Sequence, residues 1–235
     1  MSNRYWVLNH NSHCLSVGVT AADWSNITQS LQPLKTDSEW LHLDVMDGQF
    51  CSKLTIGGWA VKALPKQFIV DAHVMTMSPL TQAIELAKCG AHIVTLQYEA
   101  LDNAVDAFSS LSAIEVEYQD RSLPLIRGVS LCPDTDVEVL EVLLPHIEVI
   151  QLLTLDPRTG EKMNSDLFIS KLASLIDRLK HSAYKPLISV DGSMSLDIAK
   201  ASINEGANII VSGSALFKEN ALSDNLMHWR SHLFS

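Results

Sequence analysis

Short apolar runs alternate with longer amphipathic stretches from one end of this 235-residue chain to the other. The runs lie at 15–19, 40–46, 68–75, 92–98, 124–131, 147–154, 186–191 and 208–212. They are rich in Val, Ile and Leu, as strands covered on both faces are. Between them apolar residues return at helical spacing. Leu80, Ile84 and Ala87 mark one face of a helix that Ser78-Pro79 opens and Cys89-Gly90 closes. Leu101, Ala104, Val105 and Phe108 predict a helix over about 101–117. Phe168, Leu172, Leu175 and Leu179 predict another, entered near Asn164-Ser165. Ser195 caps a third that carries Ile198, Ala199 and Ile203 and ends at Gly206.

Strand and helix alternating at about 30-residue intervals make repeated βα units. Eight such units predict one (β/α)8 TIM barrel over 1–235, because no Pro/Ser/Gly-rich linker or charge block divides the chain. No G-x-G-x-x-G occurs, which disfavours an open dinucleotide-binding sheet.

Polar residues inside these strands change the picture from architecture to chemistry. His42 and Asp44 share a face of the second strand, His73 stands near the end of the third, and Asp191 ends the seventh. Desolvated ionisable groups are costly unless they are paired or hold a metal. Two imidazoles and two carboxylates predict a mixed nitrogen/oxygen site for one divalent metal ion. Zinc is the first choice, and the same donors suit iron, manganese or cobalt. In a barrel all four reach the C-terminal mouth, where active sites are built. Asp47 reads as a loop-turning residue, and Asp71 as a structural one on the face of His73 but deeper. Gly192, Ser193, Gly213 and Ser214 follow the last two strands, where backbone N–H groups suit a phosphate.

The formal net charge of −10 opposes nucleic acid and anionic membrane as partners. Cys14, Cys51, Cys89 and Cys132 form no CxxC pair and read as reduced thiols. The first ten residues lack an apolar leader core and no 18-residue apolar run occurs, so the expected location is cytoplasmic.

Four segments together resemble the ribulose-phosphate 3-epimerases, whose members read H-x-D-V-M-D-G-x-F, D-x-H-L-M, V-D-G-G and V-x-G-S-A-[IL]-F. They are His42-Leu-Asp-Val-Met-Asp-Gly-Gln-Phe50, Asp71-Ala-His-Val-Met75, Val190-Asp-Gly-Ser193 and Val211-Ser-Gly-Ser-Ala-Leu-Phe217. The resemblance implies a barrel of the ribulose-phosphate-binding type that inverts C3 of a ketose phosphate. It implies a divalent cation on His42, Asp44, His73 and Asp191, acting as a Lewis acid. Asp44 and Asp191 become the base and acid on the two faces of an enediolate. Met46 and Met75 match methionines that line the intermediate, and the family implies a homo-oligomer. The small-molecule partner is thus a sugar phosphate.

The substrate-facing residues depart from that pattern. Gly18 and Ala21 replace two serines after the first strand, Lys53 an asparagine, Gln97 a histidine and Leu153 a third methionine. The glycine-rich loop expected after strand six reads Asp156-Pro-Arg-Thr-Gly-Glu-Lys162. Arg158 and Lys162 are alternative phosphate partners or solvent-facing loop residues. The pattern favours a pentulose or hexulose phosphate other than the usual one. A non-catalytic metal-dependent sugar-phosphate-binding protein and a related phosphate-barrel lyase or aldolase are the competing readings. Against the latter, Met46 in Asp44-Val-Met-Asp47 stands where D-x-K-x-x-D needs lysine.

Overall fold

The structure is a computed structural model that describes residues 13–36 and 39–234. The first ten residues, read above for a leader core, lie outside the described residues. Eight parallel strands close into a barrel: β1 (Cys14–Gly18), β2 (Glu39–Met46), β3 (Val70–Met75), β4 (Ile93–Gln97), β7 (Ile126–Leu131), β8 (Val149–Leu153), β9 (Leu187–Asp191) and β10 (Ile209–Ser212). The ring is complete because β1 pairs with both β2 and β10. Every predicted strand is present, within a few residues at its ends.

Around the barrel lie α1 (Ile27–Ser30), α2 (Gly58–Ala63), α3 (Pro79–Cys89), α4 (Ala104–Ser110), α5 (Ser165–Lys180), α6 (Leu196–Glu205) and α7 (Leu222–Leu233). Their ends follow local chemistry. Asn164 caps α5 by accepting from the N–H groups of Asp166 and Leu167, and Ser195 caps α6 by accepting from Ile198. Phe168, Leu172, Leu175 and Leu179 all face the core.

One helical expectation is extended by the structure and another needs correction. On α3 the deeply buried face is Ala83, Leu86 and Ala87, while Leu80 and Ile84 pack only partly. The helix predicted over 101–117 stops at Ser110. Beyond it a hairpin forms from β5 (Glu115–Tyr118) and β6 (Arg121–Pro124), turning through Gln119 and Asp120, both at positive φ. Glu115, Val116 and Glu117 alternate exposed, buried, exposed, a period of two that overrides the helical spacing upstream. The four cysteines are free thiols. Among the described residues no helix is long and apolar enough to cross a membrane.

A buried ion pair fastens the wall opposite β1 to its helical cover. Arg127 on β7 donates to both Glu148 oxygens, at 3.1 and 2.7 Å, and to the Phe108 carbonyl of α4 at 3.1 Å. Both side chains are almost fully enclosed. Removing one partner strands the other charge in the interior. Arg127→Met is therefore expected to lower unfolding free energy by about 3–5 kcal/mol in urea denaturation. A loss below about 1 kcal/mol would contradict this role.

Candidate metal centre

Strand register decides which side chains meet. His42 pairs with Asp71 and Asp44 with His73 across the β2–β3 ladder, so four ionisable groups share one face on two levels. Asp191 ends β9 and enters from the other side of the mouth, level with Leu153. His42 Nε2 lies 3.4 Å from Asp44 Oδ1 and 3.7 Å from Asp191 Oδ2. His73 Nδ1 lies 3.6 and 3.8 Å from the same two oxygens. One donor atom from each residue falls within a 4.8 Å span. Donors bound at about 2.0–2.2 Å to a shared cation stand roughly 3–3.6 Å apart, so the set is nearly the right size.

The hydrogen bonds beneath these donors fix their orientation. Asp71 Oδ2 accepts from His42 Nδ1 at 2.9 Å, which turns the other ring nitrogen into the cluster. That nitrogen, Nε2, is buried and makes no hydrogen bond among the described residues. Gln97 gives its NH₂ to Glu99, so its Oε1 faces His73 Nε2 at 2.7 Å, which assigns the ring proton to Nε2 and leaves Nδ1 for the cluster. A carboxylate or carbonyl behind a ligating imidazole is the usual outer support of a metal site. The donor set and the unpartnered His42 nitrogen together fit a divalent cation.

Charge gives the same answer. Asp44, Asp71 and Asp191 bring three carboxylates against two buried imidazoles. Although burial opposes it, Asp71 and Asp44 hold His42 well above its ordinary value. Burial also opposes ionisation of Asp44, yet the two imidazoles hold it below the usual carboxylate range. Burial pushes Asp191 up, and the Asp44 charge adds to the effect. The cluster gathers more negative than positive charge and favours a bound proton or cation.

The other expected site residues are largely gathered at this mouth. Met46 and Met75 are ladder partners one level above Asp44 and His73, on the same face. Gly192 and Ser193 follow Asp191 in left-handed conformations, at φ 96° and 35°. Gly213 and Ser214 follow β10, and Leu216 and Phe217 N–H groups close a turn on the Gly213 carbonyl. Gly18 explains one departure from the family pattern. A Cβ there would sit 2.9 Å from Gly213 Cα, so a serine needs the backbone to move. Asp47 turns its loop as expected, accepting from the N–H groups of Gln49, Phe50 and Met77.

The loop after β8 is fastened rather than glycine-rich. Leu155 bridges Lys162, and Asp156 and Glu161 are joined backbone to backbone at 2.9 Å. Arg158 folds onto Asp156 at 3.0 Å and reaches Asp134 at 3.2 Å, so two carboxylates already hold its charge. Cys132, Asp134 and Asp156 also lie close enough for a cation. Arg158 occupies that group, and burial pushes the Cys132 thiol up, so the cluster is a poor rival.

Two residues were missed or underread. Gln151 points into the site from β8, its Nε2 3.1 Å from His73 Nδ1 and 3.2 Å from Asp191 Oδ2. Its signal was a lone amide in the aliphatic run Val149-Ile-Gln-Leu-Leu153. Glu99 accepts from the Cys132 N–H at 2.9 Å and from Gln97 and Thr135, tying the loops after β4 and β7 together.

Residues 14–217 match the sequence profile of the Ribulose-phosphate 3 epimerase family. The chain belongs to that family. It is accordingly an epimerase, an enzyme of the isomerase class. Over 221 residues it is 40% identical to the Salmonella typhimurium protein named "Putative epimerase LsrE", covering 94% of this chain and 87% of that one. It is 31% identical to the ribulose-phosphate 3-epimerase of Treponema pallidum, covering 88% and 92%. Among solved structures, KGPDC from Streptococcus mutans superposes with a TM-score of 0.69 at 16% identity, over 95% and 98% of the chains. The 3-hexulose-6-phosphate synthase of Salmonella typhimurium gives 0.62 at 16%, over 94% and 98%. At these identities the two structures share the epimerase's fold alone.

If Asp71 orients His42 for a cation, Asp71→Asn should weaken divalent-metal affinity by about 10–100-fold in chelator competition. An unchanged affinity in a folded variant would remove Asp71 from the metal centre.

Proposed function

We propose that this enzyme is a metal-dependent 3-epimerase of a ketose phosphate, with the whole chain acting as one barrel domain. The observation that carries the reading is the placement of Asp44 and Asp191. They enter from separate strands, yet their oxygens reach the same pair of imidazole nitrogens. A flat intermediate seated between two such carboxylates meets one on each face. Asp44 removes the C3 proton from one epimer, Asp191 returns a proton to the opposite face, and the roles exchange in the reverse direction. A divalent cation on His42, Asp44, His73 and Asp191, zinc first, would stabilise the negative charge that develops on the substrate oxygens. Met46 and Met75 supply a polarizable wall that keeps water from the reacting carbon. The backbone around Gly192-Ser193 and Gly213-Ser214 offers N–H groups to the phosphate despite the acidic balance of the chain.

The relatives named as ribulose-phosphate 3-epimerases support the reaction, and the altered shell favours a different pentulose or hexulose phosphate. Gly18, Leu153 and the fastened loop after β8 all change what the sugar touches, while Gln97, buried behind His73, changes the support of a ligand. A cytoplasmic homo-oligomer is the setting we infer for this activity.

Solvent deuterium exchange tests the reading. Wild-type protein loaded with Zn, Fe, Mn or Co is expected to incorporate deuterium at C3 of a pentulose or hexulose phosphate. Asp44→Asn and Asp191→Asn should each slow the exchange by about 10²–10⁴-fold. Metal-loaded protein that exchanges no candidate substrate would overturn the proposal.

A further inference from the structure

We propose that Gln151 is the positioning residue that fixes the Asp191 carboxylate, making the two proton carriers mechanically unequal. The inference rests on the epimerase reading for its kinetic consequence, and on geometry for the rest.

Gln151 is fully buried on β8 and shares its face with its ladder partners Ser130 and Ser189. Its amide orientation follows from its neighbours. Asp191 Oδ2 can only accept while ionised, and His73 Nδ1 has no proton to give because the ring proton is engaged with Gln97; its lone pair is the one a cation would take, which leaves Asp191 as the lasting acceptor. The NH₂ end must face both, at 3.2 and 3.1 Å, since a carbonyl there would meet two acceptors. That leaves Gln151 Oε1 buried with no hydrogen bond among the described residues. What the amide contributes to the site therefore comes from its NH₂ end.

The benefit is unequal. Asp191 is held at both oxygens, Oδ1 accepting from the Gly192 N–H at 2.6 Å and Oδ2 from Gln151. Among the described residues the Asp44 carboxylate meets only the two imidazoles, at 3.4 and 3.6 Å, with no donor of its own beyond the cation it would share, and its side chain is twice as exposed, 30% against 15%. One face of the substrate therefore meets a rigid carboxylate and the other a looser one. Without Gln151, Asp191 Oδ2 loses its side-chain donor, and only the Gly192 N–H and the cation it would share with Asp44 remain to keep it facing the reacting carbon.

Gln151→Leu and Gln151→Met, which is of similar length without the amide, separate this role from folding. Crystal structures of both need no substrate. The Asp191 Oδ2 atom is expected to move by about 1 Å or more while Asp44 stays in place. An unmoved Asp191 in a folded variant overturns the proposal. In the active enzyme, a misplacement of that size is expected to lower kcat by about 10–100-fold, with KM changed by less than about threefold. With substrate deuterated at C3, the primary isotope effect should rise only in the direction in which Asp191 removes the proton. An equal rise in both directions, or a loss confined to KM, also overturns it. If wild-type protein exchanges no C3 proton, the epimerase reading fails and the crystal structures still decide the positioning role.

Discussion

Three carboxylates and two imidazoles, enclosed at one end of a barrel, set an electrostatic constraint that the surrounding structure answers. Desolvated carboxylates repel one another and need compensating positive charge. No lysine or arginine enters this cluster among the described residues: Arg158 is held by Asp134 and Asp156, and Arg127 by Glu148. The two imidazoles compensate only in part. Asp71 behind His42 and Gln97 behind His73 turn one ring nitrogen of each toward the same point, where a cation would meet both carboxylates at once. A barrel suits this demand because register delivers groups from strands far apart in sequence to one level.

Around that fixed centre the substrate-facing residues have been rebuilt. The ends of β1 and β10 approach so closely that Gly18 and Gly213 leave no room for a side chain between them. The loop after β8 is closed by its own backbone and by Arg158, where glycines would allow wide movement. On the proposed reading such changes would alter which sugar fits without touching the groups that would move the proton. On that reading chemistry and specificity would be carried by different layers of one pocket, as the placement of function in loops on a rigid scaffold allows.

Much of this was readable in the chain, for identifiable reasons. Ionisable residues in Val- and Leu-rich strands conflict with burial, so His42, Asp44, His73 and Asp191 stood out without any structure. Helix caps at Asn164 and Ser195 were equally plain, because capping is local. The hairpin over β5 and β6 was hidden because the helical spacing of Leu101 to Phe108 masked a switch to period two at Glu115. Gln151 and the Gly18–Gly213 approach were illegible for another reason. Their meaning depends on ladder register and barrel closure, which join residues with no local sequence relation.

Anomalous diffraction from crystals of metal-loaded protein tests the central claim most directly. One divalent cation is expected within bonding distance of His42 Nε2, His73 Nδ1 and the carboxylates of Asp44 and Asp191. A cation bound instead at Cys132, Asp134 and Asp156, or no ordered cation at all in loaded crystals, would contradict it.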